Sequence, residues 1–207
     1  MISTPPARGF FCLRPTRFGP VGVLWGGAGD TPLIYRILLS KPGESAEAQA
    51  VRGFPGTREA TCPKVDALAG RIAGFLEGAD VRFSLDEVTV GGCSAFQQSV
   101  LRAEHAIPRG RISTYGLMAR RLGNPRGSRA VGTALATNPF PIVVPCHRAI
   151  RSDGTLGGYQ GGLEMKRTLL EMEGIAFRDA RHVAPQAFFY DDTTRRTARA
   201  LSALPAR

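Results

Sequence analysis

Cys146 stands in the segment of the sequence with the clearest chemical signature, PFPIVVPCHRAI (139–150). A thiol becomes a nucleophile when an adjacent base or positive charge favours its thiolate, and here His147 and Arg148 follow directly. The cysteine ends an apolar run with the composition of a strand, in which neighbouring side chains point to opposite sides. His147 would therefore act on the thiol where the chain turns after Pro145, or through a water. The pattern predicts a reactive thiol, and an inert buried cysteine is the alternative that the residues leave open.

The other residues of metal-binding types do not suggest a site. Cys12, Cys62 and Cys93 are far apart, and the chain contains no CxxC pair. His105 falls within a predicted helix and His182 near the C-terminus, where packed or solvated histidines are the expected roles. Zinc needs a set of ligands at workable spacing. The sequence therefore predicts no metal, and we expect no cofactor.

Helices and short loops surround the Cys146 segment. The predicted helices are SAFQQSVLRAEHAI (94–107), YGLMARRLG (115–123), RAVGTALAT (129–137) and LEMKRTLLEMEG (163–174). Thr114 and Ser128 are candidate caps for the second and third helices. The tight turn Gly123-Asn124-Pro125 between those two helices gives a helix-turn-helix pattern, which also occurs often by chance. Glu173, at the end of the last helix, is an acid that could orient His147.

The N-terminal part has a different composition, with β-rich runs around one amphipathic helix. The patterns predict a hairpin over 17–39, a loop or short irregular helix over 41–62, a helix over 65–78 and a strand over 81–90. Gly91-Gly92 then breaks the pattern. We therefore divide the chain into an N-terminal domain, a second domain and a C-terminal extension of unknown role, at residues 1–92, 93–178 and 179–207.

The net charge of +10 is concentrated in the second of these segments. Residues 93–178 carry 12 basic and 5 acidic side chains, whereas residues 1–92 carry 10 and 9. A clustered positive charge favours a polyanion such as DNA, although a generally arginine-rich proteome would give the same balance. No stretch approaches the ~20 apolar residues of a membrane span, and the N-terminus lacks the apolar run of a secretory signal. We expect a cytoplasmic protein without membrane association, located with the nucleoid when bound to DNA.

Several motifs in the same order resemble one family. PFPIVVPCHRAI followed by GTLGGYQGGLEMKRTLLEMEG is similar to the active-site region of O6-alkylguanine-DNA alkyltransferases, also called methylated-DNA–protein-cysteine methyltransferases. FQQSV, IPRGRISTYG and GNPRGSRAVGTALATNP, which precede them, match the same family. The resemblance is close over about 93–174 and loose over 1–92, and the tail has no counterpart.

The resemblance implies an architecture and a reaction. The architecture would be an α/β N-terminal domain with a small antiparallel sheet, followed by a mainly helical C-terminal domain of winged-helix/helix-turn-helix type. The protein would act as a monomer on double-stranded DNA that contains O6-alkylguanine, with O4-alkylthymine as a further substrate. It would flip the damaged base out of the duplex and move the alkyl group irreversibly to Cys146, in a single-turnover repair reaction without a cofactor.

The resemblance also implies a role for individual residues. Cys146 would accept the alkyl group, with His147 as base through a water, Glu173 orienting the imidazole and Asn138 organising the turns around the site. Arg129 would enter the base stack, and Tyr115 would crowd the 3′ phosphate. The other residues expected to contact DNA are Gly116, Asn124, Ala130 and Ser152. The pocket for the base would be formed by Ala149, Tyr159 and Gln160.

Two features depart from the family pattern. Leu101 and Glu104 occupy positions of the first helix where many relatives have an aromatic residue and a leucine. Glu104 would therefore disturb the local packing or require a partner such as an arginine. The tail could add DNA contacts through Arg195, Arg196 and Arg199, or form a loosely held extension.

Three rival functions remain open at this point. A non-catalytic alkyltransferase-like protein would bind lesions without chemistry, although such proteins lack the cysteine of the intact PCHR motif. A transcriptional regulator would carry a cysteine-rich metal module, which the N-terminal residues lack. A Cys-His hydrolase would need an oxyanion hole, and no known protease pattern is present.

Overall fold

A four-stranded sheet and six helices form the described part of the chain, residues 9–27 and 31–191 of a computed structural model. The strands of the sheet are β1 (Gly9–Arg14), β2 (Val21–Gly26), β3 (Leu33–Leu39) and β4 (Arg58–Glu59). The helices are α1 (Ala46–Gly53), α2 (Pro63–Leu76), α3 (Ala95–His105), α4 (Tyr115–Arg121), α5 (Ser128–Ala136) and α6 (Leu163–Met172). Two further short strands, β5 (Ser113–Thr114) and β6 (Ala149–Ile150), pair in parallel.

The sheet is mixed, which corrects the prediction of a small antiparallel one. Its order is β3-β2-β1-β4, and the β1–β2 and β2–β3 pairs are antiparallel whereas β1 and β4 are parallel. The predicted hairpin within 17–39 corresponds to β2 and β3 and is confirmed. The segment 41–62 contains the short helix α1 and the strand β4, and the short run at β4 gave no pattern from which a strand could be predicted.

Both faces of β2 are covered, so every residue of this strand is buried. Val23 belongs to the cluster that includes the buried face of α2, whereas Leu24 belongs to the cluster that includes α1. This period of two is the pattern expected of a strand between two layers. The predicted helix over 65–78 is α2, and all six of its predicted apolar positions are buried: Val65, Leu68, Ala69, Ile72, Phe75 and Leu76.

The predicted strand over 81–90 is wrong. This segment contains a 3-10 turn at Leu85–Glu87, and a second, Val90–Gly92, begins at its last residue. Ser84 and Glu87 form a capping box, in which the Ser84 hydroxyl accepts from Asp86 N and the Glu87 carboxylate accepts from Ser84 N at 2.8 Å. These local bonds compete with a strand ladder for the backbone groups.

The caps of the second and third helices differ from each other. Thr114 caps α4 as predicted, since its hydroxyl accepts from Leu117 N at 3.1 Å. Ser128 is instead the first residue of α5, and the N-cap is Gly127, which makes no side-chain cap bond.

The largest cluster of buried apolar residues takes members from both halves of the chain. It includes Ile72 and Leu76 of α2 together with Leu101 of α3 and Val144 beside the Cys146 turn. The segment with Cys146 is therefore held against an apolar interior that both halves build. The division at residue 92 remains a prediction.

In the described part of the chain, no helix is long and apolar enough to cross a membrane.

Candidate active site

A 3-10 turn, Cys146–Arg148, presents the thiol. The strand-like run predicted before it is wrong, because Ile142 has a φ of 74° and only an isolated bridge joins Pro141 and Val144. Arg148 N donates to Pro145 O at 2.8 Å, and Cys146 N donates to Val144 O at 2.8 Å. The turn follows Pro145, which cannot donate a backbone hydrogen bond. Because the chain turns here, the side chains of Cys146 and His147 need not point to opposite sides, as neighbouring side chains in a strand do.

Asn138 fixes the loop that leads to this turn. It is fully buried, its Nδ2 donates to Val144 O at 3.0 Å, and its Oδ1 accepts from Phe140 N at 2.9 Å. Between the two bonded residues lies Ile142, whose φ is 74°. A β-branched residue rarely adopts this conformation, which costs about 1–3 kcal/mol and persists where the surroundings hold it. The two Asn138 bonds supply that restraint.

His147, Arg148 and Glu173 form a closed set of buried polar contacts. The Nε2 atom of His147 and the Nη2 atom of Arg148 lie 2.9 and 2.7 Å from Glu173 Oε1, and Arg148 Nε lies 2.9 Å from Oε2. Arg148 Nη1 donates to Ile107 O at 2.6 Å. Burial opposes the charged form of Glu173, but the hydrogen bonds from His147 and Arg148 and the positive charge of Arg148 outweigh it and lower the carboxyl pKa to about 2.

The imidazole is held in its neutral form. His147 is fully buried, and burial lowers its pKa although Glu173 acts in the opposite direction. A carboxylate only accepts hydrogen bonds, so Nε2 carries the proton toward Glu173. Nδ1 then has its lone pair free, and it has no hydrogen-bond partner among the residues that the structure describes. The arrangement gives a base whose accepting nitrogen is available.

Cys146 lines a cavity of about 320 Å³. The other residues around it are Tyr115, Gly132, Leu135, Ala136, Arg151, Gly157, Gly158, Tyr159 and Gln160. Burial raises the pKa of the thiol to about 11, while hydrogen bonding from Asn138 acts to lower it. The thiol therefore needs a base to become a thiolate at neutral pH. A larger cavity of about 650 Å³ is lined by Arg148 and Glu173 but not by Cys146.

The glycine-rich loop over the smaller cavity is tied down at several points. Gln160 Nε2 donates to Asn138 O at 2.7 Å, and the Tyr159 ring stands edge-on to His147 at 6.3 Å between centroids. Gly157 has a φ of 67°, and a Cβ at this position would lie 2.8 Å from the hydroxyl of Tyr115. Only glycine therefore fits where the loop passes Tyr115.

Comparisons with known proteins agree with this geometry. Residues 95–175 match the family model described as "6-O-methylguanine DNA methyltransferase, DNA binding domain". The chain is 40% identical to a methylated-DNA–protein-cysteine methyltransferase of Methanothermobacter thermautotrophicus, over 75% of this chain and 80% of the relative. It is 37% identical to that of Mycolicibacterium paratuberculosis, over 74% and 87%. The chain belongs to this methyltransferase family.

The fold agrees as well. A crystal structure of the Mycobacterium tuberculosis OGT in complex with DNA is 28% identical and superimposes with a TM-score of 0.62, over 79% of this chain and 92% of that one. The family relationship covers the Cys146 turn, the cavity and the two helices of the helix-turn-helix pattern, all of which lie within residues 95–175.

The residues predicted to contact DNA lie on α4, α5 and neighbouring turns. Tyr115 and Gly116 begin α4, and Asn124 lies in the turn before α5. Arg129 and Ala130 are exposed on the first turn of α5. Ser152 is exposed in a turn after β6. The structure brings Tyr115 to the cavity beside Cys146, whereas none of the other five is among the residues that line it.

Ala149, predicted to belong to the pocket, is fully buried in β6 and is not among the cavity-lining residues. Its carbonyl oxygen accepts from Lys166 Nζ at 2.7 Å. Lys166 also donates to Leu156 O at 2.5 Å and to Gly158 O at 3.4 Å, so it connects β6 to the loop over the cavity. Burial lowers the pKa of this ammonium group to about 8.

Sequence reasoning missed the structural roles of Lys166 and Arg148. Lys166 is the only lysine among the cations of residues 93–178, and it lies on the apolar stripe formed by Met165, Leu169 and Leu170. A charge within such a stripe indicates a buried cation with specific partners.

Among the described residues, no group of three or more histidine, cysteine or acidic side chains could hold a metal ion.

Proposed function

We propose that this protein repairs DNA by direct reversal, moving the alkyl group of O6-alkylguanine irreversibly to Cys146. The observation that carries the proposal is a thiol at the wall of a cavity, followed directly in the chain by a buried neutral imidazole whose Nε2 is fixed by Glu173. Such a pair of nucleophile and oriented base is the usual arrangement for covalent transfer. The family membership supports the same reaction.

The chemistry follows from the arrangement. His147 Nδ1 accepts the thiol proton through a water, and Glu173, itself held by Arg148, fixes the ring while it carries that proton. The sulfur then attacks the alkyl carbon in line with the carbon–O6 bond. A sulfur–carbon bond forms, the carbon–oxygen bond breaks, and its electron pair stays on the guanine. One proton returns to the departing base, so the products are neutral guanine and an S-alkylated Cys146.

The thioether is stable, and nothing in this scheme restores the thiol. Each molecule therefore reacts once. Tyr159 and Gln160 are proposed to close over the alkylated base, and Asn138 to keep the loop before Cys146 in its strained form. The cavity of about 320 Å³ lies at the lower end of the range for small-molecule sites.

Access to the lesion requires base flipping, because the reacting atom is inside the stack of a duplex. Extrusion costs a few kcal/mol, and a side chain that fills the vacated space offsets part of that cost. We assign this role to the exposed Arg129 on α5, with Tyr115 crowding the 3′ phosphate. The α4–turn–α5 unit would dock as the helix-turn-helix of a winged-helix domain. Gly116, Asn124 and Ser152 would contact the DNA backbone, and the small side chain of Ala130 would let α5 approach the groove closely.

The proposed substrate is duplex DNA with O6-alkylguanine, and O4-alkylthymine is a second lesion to test. We propose that the protein acts as a cytoplasmic monomer that joins the nucleoid when bound to DNA. No cofactor enters the scheme.

The test is the intact mass after incubation with a duplex that contains O6-methylguanine. We expect one added methyl group per molecule, located on the peptide with Cys146, and none in a Cys146→Ala variant that still binds the duplex. Binding to the lesion without added mass would instead identify a non-catalytic lesion-binding protein. Methylation of the Cys146→Ala variant would remove this thiol from the reaction.

A further inference from the structure

Residues 188–190 of the C-terminal extension pack against the start of β5. Phe189 N donates to Ile112 O at 2.8 Å, and Ser113 Oγ donates to Phe189 O at 2.7 Å. β5 also pairs with β6, the strand that directly follows the Cys146 turn. β5 is therefore bonded both to the strand after the active-site turn and to a segment that lies beyond the residues that match the family model.

Tyr190, the last of these three residues, joins two helices. Its hydroxyl donates to Ala103 O on α3 at 2.8 Å, and the guanidinium carbon of Arg121 on α4 lies 5.7 Å from the centre of its ring. The ring also packs against that of Phe189, with 4.5 Å between the centroids. Tyr190 has a φ of 69°, a conformation that residues other than glycine adopt rarely and keep where their surroundings hold them. The side-chain contacts of Tyr190 supply that restraint.

The short helix α4 depends on its neighbours for its orientation. It has seven residues, Tyr115–Arg121, and an isolated helix of this length is marginal in water. Its first residue follows β5 directly, and its last residue is Arg121. The 188–190 segment therefore acts on α4 from both ends. The bonds of Phe189 hold the strand before the helix, and the ring of Tyr190 contacts the end of the helix.

The end of α4 that Tyr190 contacts leads into the turn toward α5. The helix that Tyr190 is bonded to, α3, packs against α4, α5 and the Cys146 turn. Tyr190 is not among the residues that line the cavity beside Cys146, whereas Tyr115 at the start of α4 is. A change at Tyr190 should therefore alter the placement of the α4–turn–α5 unit, which is proposed to dock on DNA, and leave the pocket for the base intact.

We propose that Tyr190 is a positioning residue for the repair of duplex DNA, which holds the end of α4 against α3 so that the α4–turn–α5 unit is ordered before DNA arrives. The inference rests on the proposed function and assigns a role to a part of the chain beyond the family model. Without the side chain of Tyr190, the end of α4 has more freedom. DNA binding must then restrict that freedom, which weakens the binding of the duplex.

The experiment compares Tyr190→Gly and Tyr190→Phe with the wild type in single-turnover methyl transfer, over a series of concentrations of a duplex that contains O6-methylguanine. Glycine adopts a positive φ without strain, so Tyr190→Gly removes the side chain and lets the backbone keep its conformation. Tyr190→Phe keeps the ring beside Arg121 and removes only the hydroxyl that is bonded to Ala103 O.

We expect the duplex concentration at the half-maximal rate to rise about tenfold in Tyr190→Gly, because one hydrogen bond and one contact between a cation and a ring are lost. The rise should be about threefold in Tyr190→Phe, which loses only the hydrogen bond. The rate with free O6-benzylguanine should be that of the wild type in both variants. Phe54→Ala removes a half-buried ring at the end of α1. It is the matched control and should change neither quantity.

Two further measurements keep the result decisive. Amide hydrogen exchange should be faster in α4 of Tyr190→Gly than in α4 of the wild type, and equal in α1 of the two proteins. Ser113→Ala, which removes the bond to Phe189 O, is the second variant if Tyr190→Gly does not fold. It should also raise the duplex concentration at the half-maximal rate.

An unchanged dependence on duplex concentration would overturn the inference, and so would equal losses with the duplex and with the free base. In either case, methylation of Cys146 in the wild type would still support the proposed function. No methylation of the wild type by the duplex would refute that function itself.

Discussion

The buried carboxylate that holds His147 has its own cation. Glu173 is the anion, Arg148 is its cation, and His147, which is bonded to Glu173, is neutral. A proton that moves from the thiol to His147 therefore creates an imidazolium directly against a carboxylate that is already held in place. Fixed partners of this kind lower the cost of charge formation because they need no rearrangement during the reaction.

The same contacts make stability depend on pH. Glu173 has a folded pKa of about 2, below the value of about 4.3 for a free glutamate. Its contribution, about 3 kcal/mol, is complete above the unfolded pKa and is lost as the pH falls through the folded pKa. The His147 pKa is also lowered, so its protonation on unfolding reduces stability as the pH falls below about 6.5.

We expect the free energy of unfolding, measured by urea denaturation, to fall more steeply from about pH 5 to about pH 2 in the wild type than in Glu173→Gln. At neutral pH this variant should already be about 3–5 kcal/mol less stable, because Arg148 is left buried without its anion. Other carboxylates titrate equally in both proteins and cancel in the difference. Parallel curves would mean that Glu173 has an ordinary pKa in the folded protein.

Asn138 offers a second test at this scale. In Asn138→Ala, Phe140 N and Val144 O lose their partners and the conformation of Ile142 loses its support. We expect a loss of about 2–4 kcal/mol in thermal or urea unfolding, since each buried unpaired group costs about 1–3 kcal/mol, and slower alkyl transfer in the folded fraction. Gln160→Ala, which removes a bond to the backbone of the same residue, should cost about 1 kcal/mol. Similar losses in both variants would contradict a special role for the Asn138 side chain.

At the scale of elements, the sequence predicted helices better than strands and turns. The α2 face was predictable because six apolar residues recur at helical spacing. The segment 81–90 alternates like a strand, but Ser84 and Glu87 bond to nearby backbone groups. The site residues came from motifs, whereas the partners of Lys166 are backbone carbonyls from β6 and the following loop. No side-chain pattern encodes such partners.

The α4–turn–α5 unit is the element proposed to meet DNA. Arg129→Ala should slow transfer from O6-methylguanine within a duplex by about tenfold or more, since filling the vacated stack offsets part of a cost of a few kcal/mol. Transfer from free O6-benzylguanine should be unchanged, because the free base needs no flipping. Arg126→Ala removes an exposed arginine from the turn before α5. This variant should bind DNA more weakly but should not show the tenfold slower transfer from the duplex. Equal losses on both substrates would show that Arg129 acts on the pocket instead.

At the scale of the whole molecule, the C-terminal extension begins as a packed segment. Phe189 N donates to Ile112 O at 2.8 Å, and its carbonyl accepts from Ser113 Oγ at 2.7 Å. The Tyr190 hydroxyl donates to Ala103 O at 2.8 Å, and Arg121 lies over its ring. The segment therefore joins α3, β5 and α4, beyond the residues that match the family model. The predicted contacts of Arg195, Arg196 and Arg199 lie outside the described residues.

The distribution of charge over the chain gives the last prediction. Residues 93–178 hold most of the excess positive charge, and α4, α5 and the turn between them carry exposed arginines at 120, 121, 126 and 129. Each phosphate that a cation neutralises releases counterions, so the logarithm of the DNA affinity should fall linearly with that of the salt concentration. In fluorescence anisotropy with an unmodified duplex, Arg126→Ala should reduce the slope by about one. Glu47→Gln should leave it unchanged, because that side chain lies on α1 of the N-terminal part. A salt-independent affinity in the wild type would exclude phosphate contacts as the source of binding, and with them the docking role of the α4–turn–α5 unit.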